Sequence, residues 1–412
     1  MNKFPIMIFI GIIIIIKFRD LVFIILTYNY TNKFLENFLT NKIFNVSEPK
    51  LSKKAIDYVL DCLRTEWISS SGSYLETFEK KWAKYCNKKY AVSVTSGTAA
   101  LIVALKALNL RPGDEVIMPS FTIISCALAI IEAGGKPILA DCDLDTWCIK
   151  TDEIKKKITS RTKAILIVHM FGHPVNMDEI KEIVKNKKID IIEDAAESHG
   201  SKFKNKVVGS FGKISCFSFY VNKLITTGEG GMVLTNDKGL YNKMKNLRNL
   251  AFNKTRRFSH NEIGYNYRMT NIQAAIGLSQ LEKISEHIEI KRKNTLLYNK
   301  ILTSYDLPIS LPIEKKWAKN TFWMYGIVLK KKLMTAKRLS QKLFKNNIET
   351  RPLFLGMHEQ PIFKKMKLFK KGNYPNTEYL SKYGLYLPSG LRLNKSKIEF
   401  ICRTLKRILC EK

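Results

Sequence analysis

The feature that most constrains this chain is an alternation running from residue 90 to residue 195. Short apolar runs recur there: Tyr90–Val94, EVIMP at 115–119, KPILAD at 136–141, AILIVHMF at 164–171 and IDIIEDA at 189–195. Between them lie segments of helical period, Thr98–Leu108, Cys126–Glu132 and Met177–Lys187. Runs this short and this apolar read as strands buried on both faces, and strands that take turns with helices build a mostly parallel sheet. The prediction is an α/β fold with a central sheet between layers of helices. Residues 214–220 and 231–235 read as two further strands.

The flanks extend this plan. Ser52–Arg64 carries apolar residues at helical spacing behind a serine cap, and Leu75–Tyr85 reads as a second helix. Long helices dominate from about Thr270 through Lys300, followed by a strand near Met324–Leu329 and a last helix from Ser396. A chain of 412 residues exceeds one small core. We therefore expect a large domain over 43–290 and a smaller C-terminal α/β domain over 291–412.

Residues 1–42 read as a separate hydrophobic appendage. Phe4–Ile16 is continuously apolar, Lys17, Arg19 and Asp20 interrupt it, and Leu21–Leu26 is apolar again. Neither run reaches the 18 to 20 or so residues of a spanning helix, and no clean cleavage site follows. Two readings stay open. Residues 4–26 could anchor the protein at a membrane surface, or they could be translated from a misassigned start. No Met lies between Met7 and Met118, so a start near residue 43 would need a non-AUG codon.

The formal charge of +33 raises the question of nucleic acid. Lysine is spread through almost every segment rather than gathered in a patch, and no nucleic-acid motif accompanies it, so no nucleic-acid partner is expected. A basic surface does suit an anionic small substrate. The eight cysteines show no C-x-x-C spacing and no histidine cluster. No disulfide framework or metal site is expected, and a cytoplasmic location fits.

Four segments carry chemistry. Thr95-Ser96-Gly97-Thr98 follows a strand and opens a helix, where free amides and the helix dipole attract an anion; serine and threonine also cap helices without binding anything. Asp194 and Glu197 follow the strand Ile191–Asp194, where ligands bind in parallel sheets. A buried carboxylate there needs a partner such as a protonated pyridine nitrogen, although an aspartate can also cap a turn. Phe217-Ser218-Phe219 leads to Lys223 and the glycine-rich Thr226–Met232. An amine so placed could attack a carbonyl, although most lysines in a chain this basic are surface charges. Asn266 and Arg268 precede a helix rich in small residues, Asn271–Gly277, and could reach an anion.

In this order and spacing the four segments resemble the DegT/DnrJ/EryC1/StrS family of sugar aminotransferases, over roughly residues 43–412. The resemblance implies pyridoxal 5'-phosphate as cofactor and the type I fold of its aminotransferases. It implies that Lys223 forms the Schiff base and shuttles the proton, and that Asp194 pairs with the pyridine nitrogen. Gly97, Thr98 and Ser218 would hold the phosphate, and Glu197 would lie near the ring face. Asn266 and Arg268 would come from a second subunit, making the enzyme a homodimer with composite sites. His199, Arg351 and His358 are candidates for contacts near the substrate. Asn222–Met232, Gly264–Ala275 and Asn320–Tyr325 resemble the members that use glutamate to aminate C4 of GDP-4-keto-6-deoxymannose. A dTDP- or UDP-linked 3-keto or 4-keto sugar is the alternative substrate. A dehydratase of the same fold would carry histidine in place of Lys223, and a non-catalytic regulatory relative would not need Lys223, Asp194 and Ser218 together. One departure stands out: Ile123 occupies the place where many relatives put an aromatic residue over the ring.

Overall fold

The structure, a computed structural model, describes residues 43–253, 255–330, 333–369 and 372–410. The apolar runs of residues 4–26, and both readings of them, lie outside these. Among the described residues no helix is long and apolar enough to cross a membrane. By its contacts Asn45–Lys412 forms one unit.

Seven strands form the main sheet: β1 (Tyr90–Val94), β2 (Glu115–Pro119), β3 (Lys136–Ala140), β4 (Thr162–Val168), β5 (Asp190–Asp194), β8 (Ile214–Ser218) and β9 (Gly231–Thr235). Their spatial order is β1-β9-β8-β5-β4-β2-β3. Strands β3, β2, β4, β5 and β8 pair in parallel, and β9 runs antiparallel to both β8 and β1. The short β6 (Lys202–Phe203) and β7 (Lys206–Val207) form a hairpin beside β11 (Ala318–Lys319).

Alternation along each strand feeds two cores, one on each face of the sheet. Val92 and Val94 of β1 enter one cluster and Ala91 the other; Val233 of β9 faces the first, Met232 and Leu234 the second. The helix Gly97–Ala107 covers the first face over β8 and β9. The helices Ser73–Tyr85 and Asn271–Leu281 cover the second. Thr270 and Gln273 close a capping box at the start of Asn271–Leu281, satisfying amides the helix cannot.

The C-terminal part carries a four-stranded antiparallel sheet, ordered β10 (Ile309–Ser310), β12 (Tyr325–Leu329), β14 (Gly384–Leu387) and β13 (Arg351–Pro352). Helices Ala336–Phe344 and Pro375–Tyr383 pack on it, and Lys395–Cys410 packs on Ala336–Phe344 and Ile284–Ser304. The boundary expected at 290/291 falls inside the unbroken helix Ile284–Ser304.

Two details place the functional groups. The expected strand 164–171 ends at Val168, and the chain turns through Phe171 in the left-handed region at φ 49°. The β8–β9 connection is closed on itself: Phe219 N–H donates to Gly230 O at 2.8 Å, and Thr227 N–H donates to Phe219 O at 2.9 Å. Residues 220–229 therefore form a loop with adjacent ends at the C-terminal edge of the sheet.

Candidate active site

Ligands in such sheets bind beyond the C-terminal strand ends, and here the ends of β1, β5 and β8 converge on a cavity of about 370 Å³. Its first wall is a helix terminus. Ser96 caps the helix, its hydroxyl accepting from Ala99 N–H at 3.1 Å, which leaves the amides of Gly97 and Thr98 for an incoming anion. A Cβ built on Gly97 would come within 2.7 Å of Ser218 Cβ, so only glycine lets the helix end approach β8 this closely. Thr98 Oγ1 and Ser125 Oγ share a hydrogen bond of 2.8 Å, adding a second hydroxyl to Ser218 at this end.

The second wall holds two carboxyls and an amine. Asp194, at the end of β5, is only 2% exposed. Its carboxylate accepts from Ala196 N–H at 3.0 Å and from the Cys126 thiol at 3.2 Å, both neutral donors. Burial pushes Asp194 above the usual carboxylate range, and those two donors only partly oppose it. Glu197 is also pushed up by burial, against the pull of Lys223, while Phe171 N–H donates to its Oε2 at 2.9 Å. Burial lowers the Lys223 amine, and Glu197 and Asp194 draw it partly back. A lysine brought down toward neutrality can give and take a proton or act as a nucleophile.

The third wall is aromatic. Lys223 Nζ lies 3.7 Å from the centroid of the Trp323 ring, and Phe354 and Tyr386 also line the cavity. All three rings meet Phe171 edge-on, at 5.5, 5.8 and 5.6 Å. The turn that gives Phe171 its left-handed backbone thus sets both this hub and the amide that holds Glu197. Ile123 lines the cavity as an aliphatic side chain, while Phe121 is fully buried, 6.0 Å from Phe354.

The cavity thus brings together Gly97, Thr98, Asp194, Glu197, Ser218 and Lys223. Five other expected residues lie elsewhere. His199 is 0% exposed behind the cavity, within 5.6 to 5.8 Å of the rings of Trp82, Phe217 and Phe219, and burial lowers it to about 3. That packing removes it from substrate contact within this chain. His358 packs on Tyr374 at 4.5 Å and meets Glu378 at 3.3 Å, away from the cavity lining. Arg351 is exposed and paired with Glu349, but it stands opposite the cavity residue Tyr386 across the β13–β14 ladder. Asn266 is exposed, and Arg268 donates to Asn249 Oδ1 at 2.7 Å; neither lines this chain's own cavity. A larger groove, about 890 Å³, runs past Lys243, Asn249 and Glu262 and contains none of the converging groups.

Trp323, Phe354, Tyr386 and Ser125 were not read as site residues from the sequence. Trp323 lay inside a stretch already marked by the family resemblance, and its aromatic neighbours were the available signal. Phe354 and Tyr386 reach the cavity from separate C-terminal segments, and nothing local to either marks it.

These residues fit pyridoxal phosphate. The Gly97–Thr98 amides with the Ser218 hydroxyl suit its phosphate. Two buried carboxyls, Asp194 and Glu197, share the cavity with the Lys223 amine, so a cationic pyridine nitrogen at Asp194 would balance the charge. Lys223 would supply the amine for its aldehyde carbon.

Comparison with known proteins agrees. The profile of the DegT/DnrJ/EryC1/StrS aminotransferase family matches residues 49–406. GDP-perosamine synthase of Escherichia coli O157:H7 is 42% identical over 371 residues, covering 90% of this chain and 100% of that protein. Helicobacter pylori PseC, an aminotransferase involved in the biosynthesis of pseudoaminic acid, superposes with a TM-score of 0.84 at 27% identity, over 89% of this chain and 99% of that one. The E. coli GDP-4-keto-6-deoxy-D-mannose-3-dehydratase, solved with bound hydrated pyridoxal phosphate, superposes with a TM-score of 0.82 at 26% identity, over 88% of this chain and 100% of that one. With its fold, its lysine beside two buried carboxyls, and a profile match over residues 49–406, this chain belongs to the DegT/DnrJ/EryC1/StrS aminotransferase family.

Proposed function

We propose that this enzyme transfers the amino group of glutamate, through pyridoxal phosphate, to C4 of a GDP-linked 4-keto-6-deoxy sugar, as a perosamine synthase does. The observation that carries the reading is the Lys223 amine, lowered by burial and facing Asp194 and Glu197 across a cavity with a helix N-terminus at its other end. The similarity to GDP-perosamine synthase supports the choice of sugar nucleotide. A chain of formal charge +33 favours an anionic substrate of this kind.

Pyridoxal phosphate, when bound, supplies a carbonyl that carries the amino group and a ring that accepts the electrons of the broken C–H bond. The protein does the rest. Gly97, Thr98 and Ser218 would hold the phosphate, and Asp194 would keep the ring nitrogen protonated. Lys223 Nζ takes the proton from Cα of glutamate and, in the second half-reaction, gives one to C4 of the sugar. Burial raises Glu197 to about 7, so its protonated form can donate a hydrogen bond while the Phe171 amide holds Oε2. Trp323, Phe354 and Tyr386 keep water from the reacting carbon.

Asn266 and Arg268 lie outside their own chain's cavity, which supports a homodimer in which each subunit completes the other's site. Lysine at position 223 disfavours the dehydratase reading. The deciding experiment incubates the protein with glutamate and a panel of GDP-, dTDP- and UDP-linked 3-keto and 4-keto sugars and identifies products by mass and NMR. A 4-amino GDP sugar with stoichiometric 2-oxoglutarate is expected. A 3-deoxy sugar, or an amine formed only on a dTDP or UDP sugar, would overturn the assignment.

A further inference from the structure

Every polar group of Trp323 is committed. Its indole N–H donates to Asn222 O at 2.8 Å, and its main-chain N–H donates to Phe171 O at 3.0 Å. Its carbonyl accepts from Lys291 Nζ at 2.6 Å. Lys291 is a buried lysine, 3% exposed, on the helix Ile284–Ser304. Its other hydrogen bonds go to the carbonyl and hydroxyl of Ser389, so it is held by neutral acceptors alone, and burial lowers its amine to about 7. An apolar side chain of similar size would be buried there at less cost. What the amine contributes is geometry: it ties the main chain of Trp323 to a long helix and to the loop at Ser389. The indole so fixed presents its face to the Lys223 amine, and its N–H grips the residue before Lys223.

We infer that Trp323 is the seat on which the Lys223 amine rests once it has left the cofactor and carries a proton, and that Lys291 is the positioning residue that fixes this seat. The inference rests on the reading of Lys223 as the reacting amine. In each turnover that amine must leave the cofactor, carry a proton and return. An aromatic face beside it favours the ammonium form and opposes the effect of burial. Asp194 and Glu197 face the same amine from the end of β5, with His199 behind them, and these groups are unchanged in every variant below.

The test measures the protonation midpoint of Lys223 in the full-length protein freed of cofactor. The rate at which an amine-reactive reagent labels Lys223 is followed against pH by peptide mass spectrometry. In parallel, the pH midpoint of the visible absorbance is recorded with pyridoxal phosphate bound. Trp323→Leu is expected to lower the Lys223 midpoint by about one pH unit, and Trp323→Phe, which keeps a smaller ring, by less. Lys291→Met is expected to shift it in the same direction by about half a unit. Combined with Trp323→Leu, it should add no further shift.

The sign is decisive. Lys291→Met removes a positive charge, so if Lys291 acted only through its field the Lys223 midpoint would rise, and the inference would be overturned. An unchanged midpoint in Trp323→Leu, or a Lys291→Met that lowers thermal stability alone, would overturn it too. If Lys291→Met does not fold, Lys291→Gln, which keeps a neutral donor on a shorter chain, is read by the same criteria. Because the labelling needs no cofactor, it decides this inference even if no absorbance band forms, an outcome that would count instead against the proposed function.

Discussion

Two neighbouring acids at the end of one strand have opposite fates. Glu193 and Asp194 are consecutive on β5, are both buried, and point to opposite faces of the sheet. Glu193 accepts from Gly209, Phe211 and Gly212 N–H, from Ser215 Oγ and from His169 Nε2. His169 Nδ1 accepts from Val175 N–H at 3.0 Å, so its proton lies on Nε2 and points at the glutamate. Burial opposes the charge, yet these donors outweigh it and hold Glu193 at about 2. Asp194 has two donors, and burial raises it. The difference separates structure from chemistry. The satisfied carboxylate pins a loop, and the under-satisfied one waits for a cation.

The largest test of this contrast lies in the partner that Asp194 and Glu197 share. Lys223→Ala should lower turnover by more than about 10³-fold and abolish the visible absorbance of the bound cofactor, with the unfolding transition little changed. A variant that still transaminates would break the site assignment. Next come the two acids themselves. Asp194→Asn should cost about 10²-fold or more in kcat while leaving stability at neutral pH equal or higher. Glu193→Gln turns an amide toward a nest of N–H donors and should cost about 3–5 kcal/mol in denaturant unfolding. If the two variants exchanged these phenotypes, the contrast would fail.

A pH titration of stability sharpens the same point. Glu193 is depressed on folding, from an ordinary 4.5 to about 2. Its contribution, on the order of 3 kcal/mol, is therefore present above pH 4.5 and lost as pH falls toward 2. Asp194 is raised above its ordinary 3.8, so its contribution has the opposite sign: present at low pH and lost as pH rises through the raised value. Glu193→Gln should flatten the acid limb of the stability curve, and Asp194→Asn should not. The smallest effects come from single donors. Ser215→Ala should cost about 1 kcal/mol of stability with activity unchanged. Cys126→Ala should weaken cofactor binding by roughly 3- to 10-fold with stability nearly unchanged. Equilibrium unfolding and cofactor titration read the two outcomes.

Much of this was legible in the sequence because it is local. Short apolar runs and helical patterns marked the five parallel strands and their helices to within about three residues, and Ser52 and Ser96 cap where their positions suggested. Asp194 and Ser218 end strands of the main sheet and Lys223 follows one, but it was the family resemblance that singled the three out. The helix Lys238–Leu247 and the four-residue β14 were not read, nor were β6, β7, β10 and β13, whose two residues each carry almost no periodic signal. The aromatic wall was illegible for another reason. Trp323, Phe354 and Tyr386 meet Phe171 only once the C-terminal part has folded against the sheet. His199 was misplaced because two residues after a site glutamate looks near in sequence, whereas the turn at Ala195–Ser198 sends it behind the cavity wall.

The closed connection between β8 and β9 has a mechanical consequence. Because its ends are neighbouring antiparallel strands, hydrogen-bonded at Phe219–Gly230 and Thr227–Phe219, the segment carrying Lys223 is anchored to the sheet just before and after the lysine. The backbone behaves as a fixed pivot, and the four-carbon side chain as the only moving arm. With Lys223 as the reacting amine, rotation of its side-chain torsions alone would carry the amine between the Trp323 ring and the acids at the end of β5, with the backbone held in place.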